Sequence, residues 1–249
     1  MFDDARAAGR QARSLRRVQH RPYPPPQGRW TLGQTWEETL WAHWRVPLDE
    51  LRLRVPDELE IEEQDGSAWL GLVFFRVRAL RTRGALPLPG ISSFLQLNVR
   101  TYVRGPDGLP GVWFFSIDAS SRLAALGMRR IYRVPSFNAR MVLERNGDWR
   151  EAECARIGER GKVFAGCYRP VGAAFRAAPG SLEWFLAERY RLYTVNGRTE
   201  IHHDIWPLQK AEVEIELASL LPFEPAGAPL CHYAALQDAL IWPPEPVAG

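Results

Sequence analysis

Cysteine is scarce in this sequence of 249 residues, and its spacing carries no motif. The three cysteines, Cys154, Cys167 and Cys231, form no CxxC pair, and an odd number cannot pair completely. A disulfide framework or a cysteine-rich zinc site is therefore not expected. HExxH is also absent, so we predict neither a metal site nor metal-dependent hydrolysis.

Lysine is rarer still, because Lys162 and Lys210 are the only lysines in the chain. Nearly all of the positive charge is arginine, and the formal net charge is only +3. Arginine stays protonated and suits fixed recognition of carboxylates, whereas a nucleophilic amine requires lysine. Covalent catalysis through a side-chain amine is thus restricted to two positions.

Long hydrophobic runs are missing as well. No apolar segment approaches the roughly 20 residues that a transmembrane helix needs. The first residues lack the apolar block of a secretory signal. The sequence has no P-loop, no GxGxxG after a strand and no GxSxG. We therefore predict a soluble cytoplasmic protein that uses no nucleotide or other cofactor.

Turn-forming residues divide most of the chain into short segments. Pairs such as Asp65-Gly66 and Asn146-Gly147 recur at intervals that are typical of β-hairpins. The sequence thus predicts a mainly β (α+β) fold with a few short helices. Helices are predicted to begin after Pro47, Ser120 and Ser181, and strands are predicted at 68–79, 95–104, 111–118, 137–145, 149–157, 162–169, 190–195, 198–205 and 210–217.

Residues 1–28 differ from the rest of the sequence. Six arginines and several alanines precede PYPPPQG, which must be extended because proline disfavours helix at the residue before it. We predict a basic N-terminal arm, flexible or partly helical, followed by a single domain over 29–249. The arm lacks interleaved aromatic residues and an apolar face, so neither nucleic acid nor a membrane is an expected partner.

The segment QLNVRTYV separates polar from apolar residues most clearly. In a strand, alternation places Gln96, Asn98, Arg100 and Tyr102 on one face. This face carries two amides, a guanidinium and a phenol but no carboxylate, which suits the lining of a ligand pocket. The alternative is a solvent-exposed face on which Arg100 pairs with a neighbouring acid.

The next strand, GVWFFSID, is apolar until its end. Its Ser116 and Asp118 could face the same cavity, and Trp113 joins Ser116 among the ligand-binding candidates because indole groups often line pocket rims. Asp118 could equally be a helix-entry residue. With His43 and His202, Asp118 completes the set of candidate catalytic bases.

Both histidines also have a simpler interpretation. His43 lies among apolar residues and could be a hydrogen-bonded core histidine. His202 is adjacent to His203, and neighbouring strand residues point to opposite faces, so the two cannot easily ligate one metal ion. A structural role is favoured for His202.

Several segments resemble the uncharacterised YqjF-like family, in order and with plausible gaps. They are TWEETLWAHWRV, LQLNVRTYVRGPDGLPGVWFFSIDA, VPSFNARM and AERYRLYTVNGRTEIHHDIWPLQKAEVEI. That family is similar to the acetoacetate decarboxylase-like superfamily. The resemblance implies a β-cone or open barrel that encloses a pocket, often in homo-oligomers. It also favours a strand for TWEETLWAHW, although Thr35 and Glu38 match a helical capping box.

The chain departs from the decarboxylase pattern where the catalytic residues would be. The resemblance implies a lysine pair at the segment Pro135-Ser136-Phe137-Asn138, which contains no lysine. It also implies an acid where this chain has Gln96, whose amide cannot act as a base. Schiff-base decarboxylation, which needs the free amine, is therefore not expected.

Three functions remain compatible with the sequence. The first is a protein that binds a polar or anionic small molecule on a decarboxylase-like scaffold. The second is an enzyme that acts on small carbonyl compounds without an imine, as a lyase, dehydratase or hydrolase. The third is a partner-binding protein with a vestigial pocket.

Overall fold

The computed structural model of the chain describes residues 2–88, 90–195 and 197–246, with side chains from residue 6 onward. The outermost predicted boundaries, at residues 1 and 249, lie outside the described residues. The strands are β1 (Leu32–Val46), β2 (Glu60–Ile61), β3 (Ala68–Thr82), β4 (Phe94–Arg104), β5 (Pro110–Ala119), β6 (Ser136–Asn146), β7 (Trp149–Arg156), β8 (Val163–Phe175), β9 (Arg191–Thr194), β10 (Gly197–His203), β11 (Leu208–Ala218) and β12 (Leu230–Ile241). The helices are α1 (Phe2–Ser14), α2 (Leu48–Arg52), α3 (Arg122–Arg130) and α4 (Leu182–Ala187).

All these strands belong to one 12-stranded sheet that closes on itself. Closure is possible because β5 pairs with β4, β6 and β9, while β12 pairs with β1, β10 and β11. The strands β5, β4, β3, β1, β12, β10 and β9 thus form a closed ring. The strands β6, β7, β8 and β11 form an arch that leaves the ring at β5 and rejoins it at β12.

The two closures create two interiors on either side of β1, β3 and β4. Since side chains alternate along a strand, each of these strands sends one set of residues toward the arch and the other into the ring. The largest core cluster fills the arch side, where Phe74 and Leu97 meet Phe164 of β8 and other apolar residues. The ring interior contains the remaining space. The predicted mainly β architecture is confirmed.

Strand β1 occupies the segment whose pattern was ambiguous. Its residues Leu40–Trp44 are buried on both faces, because Leu40, Ala42 and Trp44 pack in the core under the arch while Trp41 faces the ring interior. The capping-box residue Glu38 instead has a left-handed backbone, with φ of 53°, at a register shift in the ladder. Its carboxylate turns toward the arch and accepts hydrogen bonds from Arg150 and from the Tyr233 hydroxyl. The family resemblance predicted this strand correctly, and the local pattern did not.

Helix α3 begins one residue later than predicted. Ser121, not Ser120, is the N-cap, and its hydroxyl accepts a hydrogen bond from the Ala124 amide. Ser120 instead bonds to the start of β4, where its hydroxyl accepts a hydrogen bond from the Leu95 amide at 2.9 Å. Helix α4 begins after Ser181 as predicted. Strand β12 was not predicted.

The N-terminal arm lies against the ring. In α1 the buried Gln11 side chain donates to Thr35 Oγ1 and accepts from Arg81, and both of these partners are ring residues. Beyond the helix, Arg21 is fully buried and forms an ion pair with Glu200 of β10 at 2.9 Å. Its guanidinium also donates to the Ile201 carbonyl at 2.8 Å. The basic character of the arm thus serves contacts within the chain.

No helix in the described ranges is long and apolar enough to cross a membrane.

We expect Arg21→Met to lower the free energy of unfolding by about 2–3 kcal/mol, because it leaves the buried Glu200 with one arginine instead of two. Urea unfolding at neutral pH measures the change. Arg16→Met, on an exposed arm residue, is the matched control and should change stability by less than about 0.5 kcal/mol. Equal stabilities for the two variants would contradict docking of the arm.

Candidate functional site

The ring encloses a cavity of about 140 Å³. Side chains from β1, β3, β4, β5 and β10 form most of its wall, and residues next to α3 and α4 complete it. The wall contains arginines, amides and several large aromatic residues. Among the described residues, no Asp, Glu or Lys lines the cavity. Any fixed charge in the wall is therefore positive.

Strand β4 supplies the polar wall that its alternation predicts. Gln96, Asn98 and Arg100 line the cavity, each paired across the sheet with residues of β3 and β5. Tyr102 follows on the same face but lies deeper and is fully buried. Its hydroxyl lies 2.7 Å from Nε2 of His43 and 3.0 Å from the Leu186 carbonyl oxygen. Tyr102 therefore closes the inner end of the cavity.

Arg100 is the unusual group in this wall. Its Nη2 donates to the Leu186 carbonyl at 3.0 Å and lies 3.4 Å from the Tyr102 hydroxyl. Its Nε is buried without a partner, and Nη1 makes no hydrogen bond within the described part of the chain. The guanidinium carbon stacks 4.7 Å from the centre of the Trp41 ring. No carboxylate in the described ranges forms an ion pair with Arg100.

The other two arginines in the wall are compensated. Arg189 forms an ion pair with Glu62, which also binds the half-exposed Arg104. Arg191 forms ion pairs with two carboxylates, Asp107 and Glu200. Of the three arginines in the wall, Arg100 is therefore the one without an ion pair among the described residues.

His43 lies behind this site and does not line the cavity. Burial, together with the positive charge of Arg100 and the proximity of His232, holds the pKa of His43 well below its usual value. The imidazole of His43 is thus neutral near pH 7 and is the hydrogen-bonding partner of Tyr102. Its placement matches the simpler interpretation, that of a buried hydrogen-bonded histidine.

Aromatic side chains form a large part of the remaining wall. Trp36 and Trp206 stack with an interplanar angle of 13°, and Trp41 meets Trp206 edge-on with 4.8 Å between ring centres. Phe75 and Phe114 also line the cavity, next to Gln96 and Arg100 in the sheet. The wall thus combines aromatic rings with the polar side chains of β4.

Three candidate residues of β5 lie on the other side of the sheet. Ser116 pairs with Val99 and Asp118 pairs with Leu97, whose side chains belong to the core under the arch. Trp113 is part of the same core cluster. A register shift between Val99 and Arg100 leaves Phe115 without a pairing partner, and it places Trp113, Ser116 and Asp118 on one face. None of the three lines the cavity.

Asp118 has a structural partner on that side. Its two oxygens accept hydrogen bonds from Nε and Nη2 of Arg156 at 2.8 and 2.9 Å. The guanidinium of Arg156 in turn stacks on Phe137, 3.6 Å from the ring centre. This buried bidentate pair anchors β7 to the end of β5.

Of the adjacent histidines, His203 lines the cavity and His202 does not. His202 faces the N-terminal arm, where its ring lies 5.9 Å from that of His20, and burial lowers the pKa of His202 to about 4. Burial also lowers the pKa of His203 to about 3. Alternation showed that the two face opposite ways, but it could not show which one faces inward.

The lysines lie elsewhere. Lys162 donates to the Ser219 carbonyl in the arch, and Lys210 is exposed on β11. Ser136, in the segment aligned with the lysine pair, is buried beside Ile117 and donates to the Val134 carbonyl. No lysine reaches the cavity. Among the described residues, no group of three His, Cys, Asp or Glu side chains could hold a metal ion.

Glu188 is a buried acid behind the cavity wall that the sequence did not single out. Its carboxylate accepts hydrogen bonds from the Tyr190 hydroxyl and the Trp206 amide. Burial outweighs these bonds and raises the pKa of Glu188 to about 7. Since Ala187 and Arg189 line the cavity, Glu188 points away from it and supports the wall at Trp206.

Comparison with known proteins identifies relatives of the whole chain. The model of the family DUF2071, described as an uncharacterized conserved protein, matches residues 33–238. The chain is 41% identical over 235 residues to the uncharacterized protein YqjF of Bacillus subtilis (strain 168), and the match covers 91% of this chain and 97% of that protein. The predicted resemblance to YqjF is confirmed.

Solved structures with the same fold are more distant in sequence. The acetoacetate decarboxylase of Legionella pneumophila is 14% identical with a TM-score of 0.61, over 93% of this chain and 94% of that one. The enduracididine biosynthesis enzyme MppR, complexed with pyruvate, is 11% identical with a TM-score of 0.66, over 92% and 93% of the two chains. The predicted acetoacetate decarboxylase-like fold is confirmed.

We expect Glu188→Gln to change the pH dependence of stability. Between its ordinary pKa of 4.5 and about 7, Glu188 holds a proton only in the folded state. Its contribution to stability is therefore complete below pH 4.5 and is lost as the pH rises through 7. Chemical unfolding from pH 4.5 to 7.5 should show the difference in stability, wild type minus variant, falling by about 3 kcal/mol.

The exposed Glu216→Gln variant is the control for this measurement, and its difference from the wild type should stay constant. A constant difference for Glu188→Gln as well would show that folding does not raise the pKa of this carboxyl group.

Proposed function

The chain belongs to the DUF2071 family, and we propose that it binds a small molecule with a carboxylate group in the ring cavity, where Arg100 pairs with that carboxylate. The observation that carries this proposal is a buried guanidinium in the cavity wall without a carboxylate partner among the described residues. The physical reason is that a buried charge is expensive unless it is paired. A carboxylate ligand would supply the missing partner.

The surroundings of Arg100 support an ordered site. Its Nη2 is held by the Leu186 carbonyl, and its plane rests on Trp41. The guanidinium is thus pre-organised, with Nε and Nη1 left to donate. Hydrogen bonds between charged groups contribute about 1.5–3 kcal/mol each, so two would account for a large part of the affinity for a small ligand.

The distribution of side chains favours binding without an imine. Schiff-base chemistry needs an amine close to the bound carbonyl group. Lys162 and Lys210 both lie outside the cavity, and Gln96 occupies the position of the expected acid. We therefore propose a binding or sensing role for the cavity and not keto-acid decarboxylation.

The enzymatic alternative receives no comparable support. A base would have to reach the ligand, but His43 lies behind Tyr102, Asp118 is paired with Arg156, and His202 faces the arm. His203 does line the cavity, but its two ring nitrogens lie 2.8 and 3.2 Å from backbone carbonyl oxygens. Binding is therefore the function that the geometry supports best.

A structural relative is consistent with this choice of ligand class. MppR, which shares the fold, is described in complex with pyruvate, a short carboxylate. At 11% identity this likeness concerns the fold, so pyruvate serves here as a probe and not as the assigned ligand.

We expect pyruvate to bind at one site per chain and Arg100→Met to weaken that binding at least tenfold, because the variant loses charge-assisted hydrogen bonds. Isothermal titration calorimetry measures both affinities. Arg140→Met, on an exposed residue of β6, should bind as the wild type does. Unchanged affinity in a folded Arg100→Met protein would refute the assignment.

A further inference from the structure

The charge of the cavity limits the charge of its ligand. Of the three arginines in the wall, Arg189 and Arg191 already have carboxylate partners within the protein, whereas Arg100 has none among the described residues. Arg100 is thus the wall arginine whose guanidinium is left to pair with the ligand, and it offers a partner for one carboxylate. A second carboxylate on the ligand would be desolvated without a partner, which is costly in a largely apolar cavity.

The amides next to Arg100 call for an uncharged polar group on the ligand. Asn98 and Gln96 make no side-chain hydrogen bond within the described ranges, and both are at least nine-tenths buried. Buried amides normally have partners, and an amide can donate or accept. Residues two apart on one face of a strand have Cα atoms about 6.6 Å apart, so Asn98 is the nearest amide of β4 to Arg100 on the cavity face.

The aromatic side chains of the wall determine the shape of the body between these groups. Trp41 and the stacked pair Trp36 and Trp206 present ring faces and edges to the cavity. A flat apolar body packs well against such a surface. The volume of about 140 Å³ is close to that of an engineered apolar cavity that accepts benzene, so the ligand has about six to ten non-hydrogen atoms.

We infer that the site is built for a flat monocarboxylate that carries one uncharged hydrogen-bonding group opposite the carboxylate. The carboxylate pairs with Arg100, the polar group meets Asn98, and the body lies against the tryptophans. This inference rests on the proposed function, because it assumes that Arg100 binds the carboxylate. It adds three properties to that proposal: the ligand carries one negative charge, Asn98 is a second recognition residue, and the body of the ligand is flat.

Substituted benzoates test these additions, because their para groups differ while the ring and carboxylate stay the same. In calorimetry, 4-hydroxybenzoate should bind about fivefold more tightly than benzoate. Fumaramate, the flat monoamide of fumarate, has the size of fumarate but one charge fewer, and it should bind at least tenfold more tightly than fumarate. This pair separates the effect of the second charge from that of size.

The variant Asn98→Leu tests the polar contact. It should bind benzoate and 4-hydroxybenzoate equally, while Asn146→Leu, on an exposed residue of the β6–β7 hairpin, should keep the fivefold preference. If Asn98→Leu does not fold, Asn98→Ala takes its place with the same expectation. A preference that survives in the folded Asn98 variant would overturn the assignment of Asn98.

The outcomes distinguish this inference from the proposed function. If pyruvate binds through Arg100 but fumarate binds as well as fumaramate, the one-charge limit is wrong and the proposed function stands. The same holds if pyruvate binds and no benzoate does, which would refute the flat body. If no tested carboxylate binds, or if Arg100→Met leaves their affinities unchanged, both proposals fail.

Discussion

The closure of one sheet into a ring is the constraint on which the rest of the structure depends. Strands β5 and β12 achieve it by pairing with three neighbours each, two within the ring and one in the arch. Because strand residues alternate, closure assigns every side chain of β1, β3 and β4 either to the core under the arch or to the ring interior. The cavity exists because the inward set includes polar residues that do not fill the ring.

Arginine–carboxylate ion pairs connect neighbouring strands of this ring and attach the N-terminal arm to it. Arg191 links β9 to β10 through Glu200 and also reaches Asp107, while Arg21 brings the N-terminal arm onto the same glutamate. Among the buried arginines of the described ranges, Arg81 and Arg100 form no ion pair. Of these two, only Arg100 lines the cavity, where it contacts a carbonyl, a hydroxyl and an aromatic face.

The sequence predicts the mainly β content of the fold and one wall of the cavity, because both depend on local alternation. The polar face of β4 needed no distant information, and three of its four residues line the cavity. Local alternation failed at β5, where the register shift moved Ser116 and Asp118 to the core side. It also left the choice between His202 and His203 open, because a single strand does not reveal which face is inside.

Features that depend on distant contacts were beyond the sequence. Arg189, Trp206 and Glu188 reach the cavity or its support only through closure of the ring. The arm has the composition of a solvated tail, yet Gln11 and Arg21 are buried by partners more than 20 residues away. Polar contacts of this kind leave no periodic pattern in the sequence. The architecture was predicted by the family resemblance, which reflects most of the chain.

A crystal structure with a bound carboxylate, pyruvate in the first instance, tests the central claim most directly. The account predicts that the carboxylate oxygens lie about 2.8 Å from Nε or Nη1 of Arg100, inside the ring. A carboxylate on Arg189 or Arg191, or on the outer surface with Arg100 paired to a carboxylate of the protein, would contradict it.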